Sequence, residues 1–241
     1  MNLDNLKNAY KTKLGNKDRS QDGENGIVNF IFKKLNIIPK YAVEFGSGQV
    51  QYQQGTANIS WFYDKYKCEC LFFESNPKKV RASLKKFRPM IKIEPINALN
   101  INDVFKKYDV PQNLDIVVID VDGQDYWIWE KLEYEPKVVV IEFNPQLPPN
   151  ENKVMHYDPD HWKWRISDCG YCGASLGALK KLGNKKGYSC VFRTRRNLIF
   201  VQKDLVNMDI SNEELYNLYK GNEEKNNRTI IKYKNPKWVI V

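Results

Sequence analysis

Short apolar runs recur along the chain, and four of them end in a carboxylate: Tyr41-Ala-Val-Glu44, Cys70-Leu-Phe-Phe-Glu74, Leu114-Asp-Ile-Val-Val-Ile-Asp120 and Val138-Val-Val-Ile-Glu142. Unbroken runs rich in β-branched residues are what strands covered on both faces look like. Between them the apolar residues return at helical spacing. The pattern predicts a helix from near Glu24 (Ile27, Phe30, Ile31, Leu35) that stops before Pro39. Strand 41–45, helix 56–66, strand 69–74 and helix 77–87 follow, the last with Asn76 as N-cap and Pro77 as first helical residue. Strand 91–95, helix 101–108, strand 114–119, helix 125–132 and strand 137–143 complete the regular part.

Beyond Asn144 the period is lost. Pro145, Pro148, Pro149 and Pro159, with several aromatics, predict a loop without helical or strand period that reaches about Gly170. Loops of that length usually serve as lids or binding loops. A helix at 173–186 is expected to end at Gly187, followed by a hairpin of strands 188–193 and 197–202. The tail holds one short helix around Glu213–Tyr219 and a strand-like run, Trp238-Val-Ile-Val241.

Alternation of strands and helices predicts an α/β fold: a doubly wound, mostly parallel seven-stranded sheet with helices on both faces, closed by an antiparallel strand from the hairpin. The expected organisation is an N-terminal arm at 1–20, one folded domain at 21–203 and a C-terminal tail or extension at 204–241. A chain of 241 residues with 42% hydrophobic content has core enough to fold without disulfides or metals. No run is apolar enough to span a bilayer, and the N-terminus lacks the basic start and apolar stretch of a signal peptide. A soluble, cytoplasmic protein with no membrane partner is expected.

Five cysteines do not make a secreted disulfide framework. Cys68 and Cys70 share one strand face, and Cys169 and Cys172 form a C-x-x-C. The expectation is ordinary reduced thiols, with a zinc site joining the pairs or a redox dithiol as alternatives. The net charge of +9 points to an anionic partner such as a nucleic acid, a nucleotide-linked substrate or a polyanion. The excess is mostly lysine on helix faces (Lys78, Lys79, Lys85, Lys86, Lys180, Lys181, Lys185, Lys186), read as a solvated surface. Arg193-Thr-Arg-Arg196 is a basic hairpin tip, either holding a phosphate or sitting in water.

The strand ends carry the chemistry, because open α/β sheets bind ligands in the crevice beyond the carboxyl ends of their strands. Glu44-Phe-Gly46-Ser47-Gly48 lets the backbone approach a ligand closely. A pyrophosphate fingerprint would need glycine where Gln51 stands, which counts against a dinucleotide oxidoreductase. Glu74 is placed to accept both hydroxyls of a ribose. A nucleoside ligand without pyrophosphate follows, and S-adenosylmethionine fits it.

At this point the chain resembles the class I S-adenosylmethionine-dependent methyltransferases, in the FkbM-like neighbourhood. The resemblance rests on Ser20-Gln-Asp-Gly-Glu24, Val43-Glu-Phe-Gly46, Phe73-Glu74, Ile119-Asp-Val-Asp-Gly-Gln-Asp-Tyr-Trp-Ile-Trp129, Val140-Ile-Glu-Phe-Asn-Pro145, Tyr157-Asp-Pro159 and Gly173-Ala-Ser-Leu-Gly-Ala-Leu-Lys-Lys-Leu-Gly183. It covers residues 20–203. Relatives carry an acid just after the first glycine region, where this chain has Gln49 and a glutamine-rich insert. The resemblance implies a Rossmann-like methyltransferase fold with Glu44, Gly46, Ser47 and Gly48 around the methionine part of the cofactor and Glu74 on its ribose. Asn97 would lie near the adenine, and Gln21 and Glu24 would close over the same pocket, with Asp120 at its edge.

Methyl transfer to a sugar hydroxyl needs a base, a metal, or both. The resemblance gives that work to Asp120 and Asp122. Similar sugar O-methyltransferases use an Asp-x-Asp there for a divalent ion and proton removal. Glu142 and Asn144 end the next strand at the same spacing, so a Mg²⁺-type site of Asp120, Glu142 and Asn144 is one reading. The other is that Asp122-Gly123 makes a turn, Asp125 caps the next helix and Asp120 alone touches ligand. His156 is a candidate base near neutral pH, with His161 in the same loop. Trp162 and Trp164 would stack on a sugar or anchor the loop, and Trp127 and Trp129 are expected in the core. The resulting expectation is O-methylation of a sugar, a glycan or a related small molecule, including a nucleotide-linked one. A nucleic-acid methyltransferase, the less favoured reading, and a non-catalytic binding module are the alternatives.

Overall fold

A computed structural model describes residues 2–13, 20–51, 57–160, 171–218 and 237–241. Its elements are α1 (Leu3–Lys13), α2 (Glu24–Lys34), β1 (Tyr41–Phe45), α3 (Ile59–Tyr66), β2 (Glu69–Phe73), α4 (Pro77–Ala82), β3 (Ile91–Lys92), α5 (Ile101–Lys107), β4 (Ile116–Ile119), α6 (Asp125–Lys131), β5 (Val138–Glu142), β6 (Lys153–Met155), α7 (Leu176–Lys185), β7 (Tyr188–Arg193), β8 (Asn197–Gln202), α8 (Asn212–Asn217) and β9 (Trp238–Ile240).

Seven strands form one sheet in the order β3-β2-β1-β4-β5-β8-β7. The pairs among β1 to β5 are parallel. β8 enters antiparallel beside β5, and β7 closes the edge antiparallel to β8. The fold is therefore the expected doubly wound, mostly parallel α/β sheet. The strand order reverses between β1 and β4, which opens a ligand crevice at their carboxyl ends.

Burial on both faces explains the unbroken apolar strands. Val43, Phe45, Val117, Ile119, Val139 and Ile141 pack with Phe105, Ile128 and Leu179 of α5, α6 and α7 on one side. Ala42, Phe72, Ile116, Val118, Val138 and Val140 pack with Leu6, Ile31 and Phe62 of α1, α2 and α3 on the other. Each large apolar side chain so buried is worth roughly 1.5–3 kcal/mol.

Several expected elements come out shorter. The strand expected at 91–95 keeps only Ile91–Lys92. It lies at the sheet edge, Ile93 is exposed, and Pro95 has no N–H to donate. The helix expected at 77–87 stops at Ala82 because Ser83 turns extended (ψ 156°). There its hydroxyl donates to the Lys79 carbonyl and accepts from the Val50 N–H. The stretch after Asn144, expected to lack strand character, contains β6. Its antiparallel partner is β9, and a three-residue strand with a partner so distant leaves no period to read. No helix among the described residues is long and apolar enough to cross a membrane.

Candidate functional site

The four carboxylate-ended strands, β1, β2, β4 and β5, are neighbours in the sheet, so their acids meet at one edge. Just past β1 the chain turns through Gly46 (φ +66°). A Cβ there would overlap the carbonyl oxygen of Asp120, so glycine is required by the backbone after β4. The Gly46 and Ser47 N–H groups donate to the Phe73 carbonyl at 3.0 and 3.3 Å. Gly48 is also left-handed (φ +61°), but a Cβ on it would meet nothing within 4 Å. Between them the buried Ser47 hydroxyl has no partner among the described residues.

Glu44 and Glu74 are both buried, and both hold backbone. Glu44 accepts the Asn58 N–H at 3.0 Å and the Ile59 N–H at 2.9 Å, the amides that open α3. Burial pushes its carboxyl up to about 7 against these bonds, which pull the other way. This cap also explains why α3 starts at Ile59. Glu74 accepts the Gly48 N–H at 2.9 Å and the Asn76 N–H at 2.8 Å, with the Lys79 ammonium 3.6 Å away. It lines a cleft with Gly46, Phe73, Pro95, Ile96 and Val121. Asn97 lies next to that cleft in sequence, but its side-chain oxygen accepts the Leu99 and Asn100 N–H groups, which makes it a turn cap.

The loop after β4 is set by Asp125. Its fully buried carboxylate accepts the Val121 and Gly123 N–H groups, both at 2.9 Å. Burial raises its pKa to about 6, with the neighbouring Asp122 adding to the rise. Within that loop Asp122 is left-handed (φ +57°), a strained state for a residue other than glycine. The result gathers carboxylate oxygens of Asp120, Asp122 and Glu142 within 4.8 Å of one another. Burial, then Asp120, Asp125 and Asp122, hold the Glu142 carboxyl well above the usual range, opposed by Arg196.

Of the trio expected for a cation, Asp120 and Glu142 come together, and Asn144, two residues past Glu142, is buried. Its oxygen accepts the Gln146 N–H and its nitrogen donates to the Cys172 carbonyl. Asp122 is the third acid of the group. His156 is exposed at the end of β6 and is not part of the acidic group. Gln21 is exposed before α2. Glu24, by contrast, is buried, and one of its oxygens accepts from the Thr194 hydroxyl (2.6 Å) and the Asn197 amide (3.0 Å), tying α2 to the β7–β8 hairpin.

The basic hairpin tip is not one feature but three. Arg193 is buried between the rings of Phe143 and Tyr216 and donates to the Tyr216 carbonyl. Arg195 pairs with Asp22 at 3.3 Å, and Arg196 faces the acids as the group that opposes Glu142's rise. Trp129 is in the core as expected, whereas Trp127 is half-buried and donates to the Met155 carbonyl. Cys68 and Cys70 are buried free thiols, while Cys169, His161, Trp162 and Trp164 lie outside the described residues.

Gln124 lies inside the Ile119–Trp129 stretch that carries the resemblance, yet no role of its own is legible in the sequence. Gln124 is buried, donates to the His156 carbonyl at 3.2 Å and accepts the Asp158 N–H at 2.9 Å. It thereby joins the acidic loop to segment 156–158. An uncharged residue between Gly123 and Asp125 gives no periodic or chemical cue to such a clamp.

No family model matches the chain, and no curated protein does. Among solved structures it is similar to MycE, a methyltransferase from the mycinamycin biosynthetic pathway solved with Mg and SAH (13% identity, TM-score 0.44). That match covers 76% of this chain and 50% of MycE, so the chain spans about half the length of that protein. It is also similar to the SAH-bound methyltransferase PaMTH1 of Podospora anserina (16% identity, 84% of this chain and 88% of that one, TM-score 0.41). A third similar structure is the sugar N-methyltransferase KedS8 of a Streptoalloteichus species (11% identity, 81% and 92%, TM-score 0.45). Likenesses this loose add nothing to what the site's own residues support.

Proposed function

We propose that the chain is an S-adenosylmethionine-dependent methyltransferase that methylates a hydroxyl of a sugar or related small molecule. The observation that carries this reading is the gathering of oxygens of Glu142, at the end of β5, with those of Asp120 and Asp122 within 4.8 Å, the two aspartates on a loop whose backbone touches Gly46 at the mouth of the Glu74 cleft. One sheet edge thus offers a nucleoside place and an acidic acceptor place in contact.

The residues fit the cofactor. Ser47 offers a buried hydroxyl that lacks a partner among the described residues. Each Glu74 oxygen accepts one backbone N–H and keeps a lone pair for a ribose hydroxyl. Phe73, Ile96 and Val121 give the cleft an apolar wall for a base. Glu44 acts on this place through α3, which it caps, and Asn97 through the turn after β3. The acids fit a Mg²⁺-type cation equally well, since hard cations choose carboxylate oxygens.

When bound, the cofactor supplies an electrophilic methyl, and a divalent cation at the acids supplies Lewis acidity toward the acceptor hydroxyl. The chain's own part is positioning and proton transfer. Asp125 fixes the loop through Val121 and Gly123, and the loop aims Asp120 and Asp122 at the acceptor. Asp122 takes the hydroxyl proton on its carboxylate while the acceptor oxygen is held in line with the methyl–sulfur bond. His156, exposed beside this edge, is a second base candidate.

Calorimetry with S-adenosylmethionine and with NAD, each with and without Mg²⁺, tests the reading. S-adenosylmethionine is expected to bind, and no binding at millimolar concentration would sink it. Asp122→Asn should lower turnover by about 10²–10⁴-fold, the usual worth of a positioned base, while leaving cofactor affinity measured without Mg²⁺ intact. Loss of cofactor binding in that variant would move Asp122 to the cofactor side. Screening nucleotide-sugars and glycans for methyl transfer identifies the acceptor.

A further inference from the structure

The positive charge of the chain is not spread evenly. Seven of the 38 basic residues (Lys78, Lys79, Arg81, Lys85, Lys86, Arg88 and Lys92) lie between Ser75 and Ile93, and none of the 29 acids does. This stretch carries a local charge of +7 and is flanked by Glu74 and Glu94. It folds as α4, a 3₁₀ turn (Arg88–Met90) and β3, along the open edge of the sheet. Lys78, Arg81, Lys85 and Arg88 are exposed. Two cations answer acids outside the stretch: Lys79 lies 3.6 Å from Glu74, and Lys86 is 2.6 Å from Asp64. Arg88 is held in place by donating to the Ser83 and Arg81 carbonyls.

The strip has two definite ends. It starts beside the cleft, where the Asn76 N–H binds Glu74. It finishes at the opposite end of the sheet, at a groove of about 720 Å³ of open space. Tyr41, Tyr63 and Tyr108 line that groove, with Lys67, Lys92 and one acid, Glu69. Lys86 sits 5.5 Å over the Tyr63 ring and Lys92 sits 5.4 Å over the Tyr108 ring. Clustered cations repel one another unless an anion lies among them. Cations that track a backbone and aromatic rings that receive bases are the two parts of a single-strand binding surface. A membrane surface would need apolar anchors among the cations. Here Val80, Phe87 and Ile91 are buried, and Ile93 alone is exposed.

We propose that this strip and groove bind single-stranded nucleic acid, with phosphates on Lys78, Arg81, Lys85 and Arg88 and bases against the groove tyrosines. The surface is separate from the acidic site and does not depend on the chemistry proposed for it.

The test is fluorescence anisotropy of the full chain with a labelled mixed-sequence DNA single strand over a salt series. The wild type is expected to bind with affinity that falls steeply as salt rises. The triple variant Lys78→Ala/Arg81→Ala/Lys85→Ala should lower the slope of log K against log salt by about 2, near 0.7 for each lost phosphate contact. Its affinity at low salt should fall by roughly one to two orders of magnitude. All three residues are exposed, so an unchanged melting temperature checks the fold. The idea is overturned if the wild type does not bind the strand or if the triple variant binds it equally well. It is equally overturned if inorganic polyphosphate of matched charge competes as strongly as the strand, which would leave the tyrosines without a role. Binding to phosphatidylserine vesicles in place of the strand would assign the surface to a membrane.

Discussion

Gly46 and Gly48 have nearly the same backbone, φ +66° and +61°, yet different surroundings. At Gly48 an added methyl meets open space, so alanine pays only for the left-handed conformation, about 1–2 kcal/mol. At Gly46 the same methyl meets a backbone oxygen that no rotamer change can move. Gly46→Ala should therefore cost about 2–5 kcal/mol, the conformational term plus overpacking, and Gly48→Ala clearly less. Urea unfolding of the two variants checks this, and equal losses would show that the Asp120 contact is not what demands glycine. The sequence makes both look like ligand-approach glycines. It cannot show that one of them answers to a strand far away in the chain.

At the scale of elements, Glu44 joins β1 to the start of α3. Its folded pKa of about 7 exceeds the ordinary 4.5, so its share of stability is fully present below 4.5 and is lost as pH rises through 7. The loss amounts to at most ~3 kcal/mol, at 1.36 kcal/mol for each unit. Between pH 5 and 8 the wild type should become less stable from this group, and Glu44→Gln should flatten that slope. Thermal melts across the range decide it, and parallel curves would mean that Glu44 does not titrate there. The loop after β4 offers a second case. Gln124→Ala removes both bonds to segment 156–158, so the Asp158 amide should exchange faster while cofactor affinity stays put. Unchanged exchange would show that β6 and β9 hold the segment without it.

Element by element, legibility followed burial. Strands covered on both faces announced themselves, and so did helices with a strong cap such as Asn76, whose side chain accepts the Lys78 N–H. The β6–β9 pair did not, because three residues on each side carry no period and their partners are set by the whole fold. Asp120, Asp122 and Glu142 were readable as strand-end acids. That all three would meet was not, because it depends on the left-handed turn at Asp122 and on Asp125 holding the loop, which form only once the chain is folded.

Across the whole molecule the acidic trio, at the ends of β4 and β5, and the basic stretch, at the β3 edge, lie on different strands of the sheet. The lysines look scattered when taken one at a time, but seven basic residues lie with no acid among them between Ser75 and Ile93, at one sheet edge. Glu74 stands where the two regions meet, with a backbone bond on one side and the Lys79 ammonium on the other.

The touch between Gly46 and the Asp120 carbonyl has a thermodynamic meaning as well as a steric one. It leaves the loop after β1 and the loop after β4 no room to shift independently, so they respond as one cooperative unit. Occupants of the two sides then share a coupling free energy, and such coupling is reciprocal: whatever factor Mg²⁺ adds to S-adenosylmethionine affinity, S-adenosylmethionine adds to Mg²⁺ affinity. A shared factor well above one in paired titrations is the expected outcome, and a factor of one would mean that the contact transmits nothing.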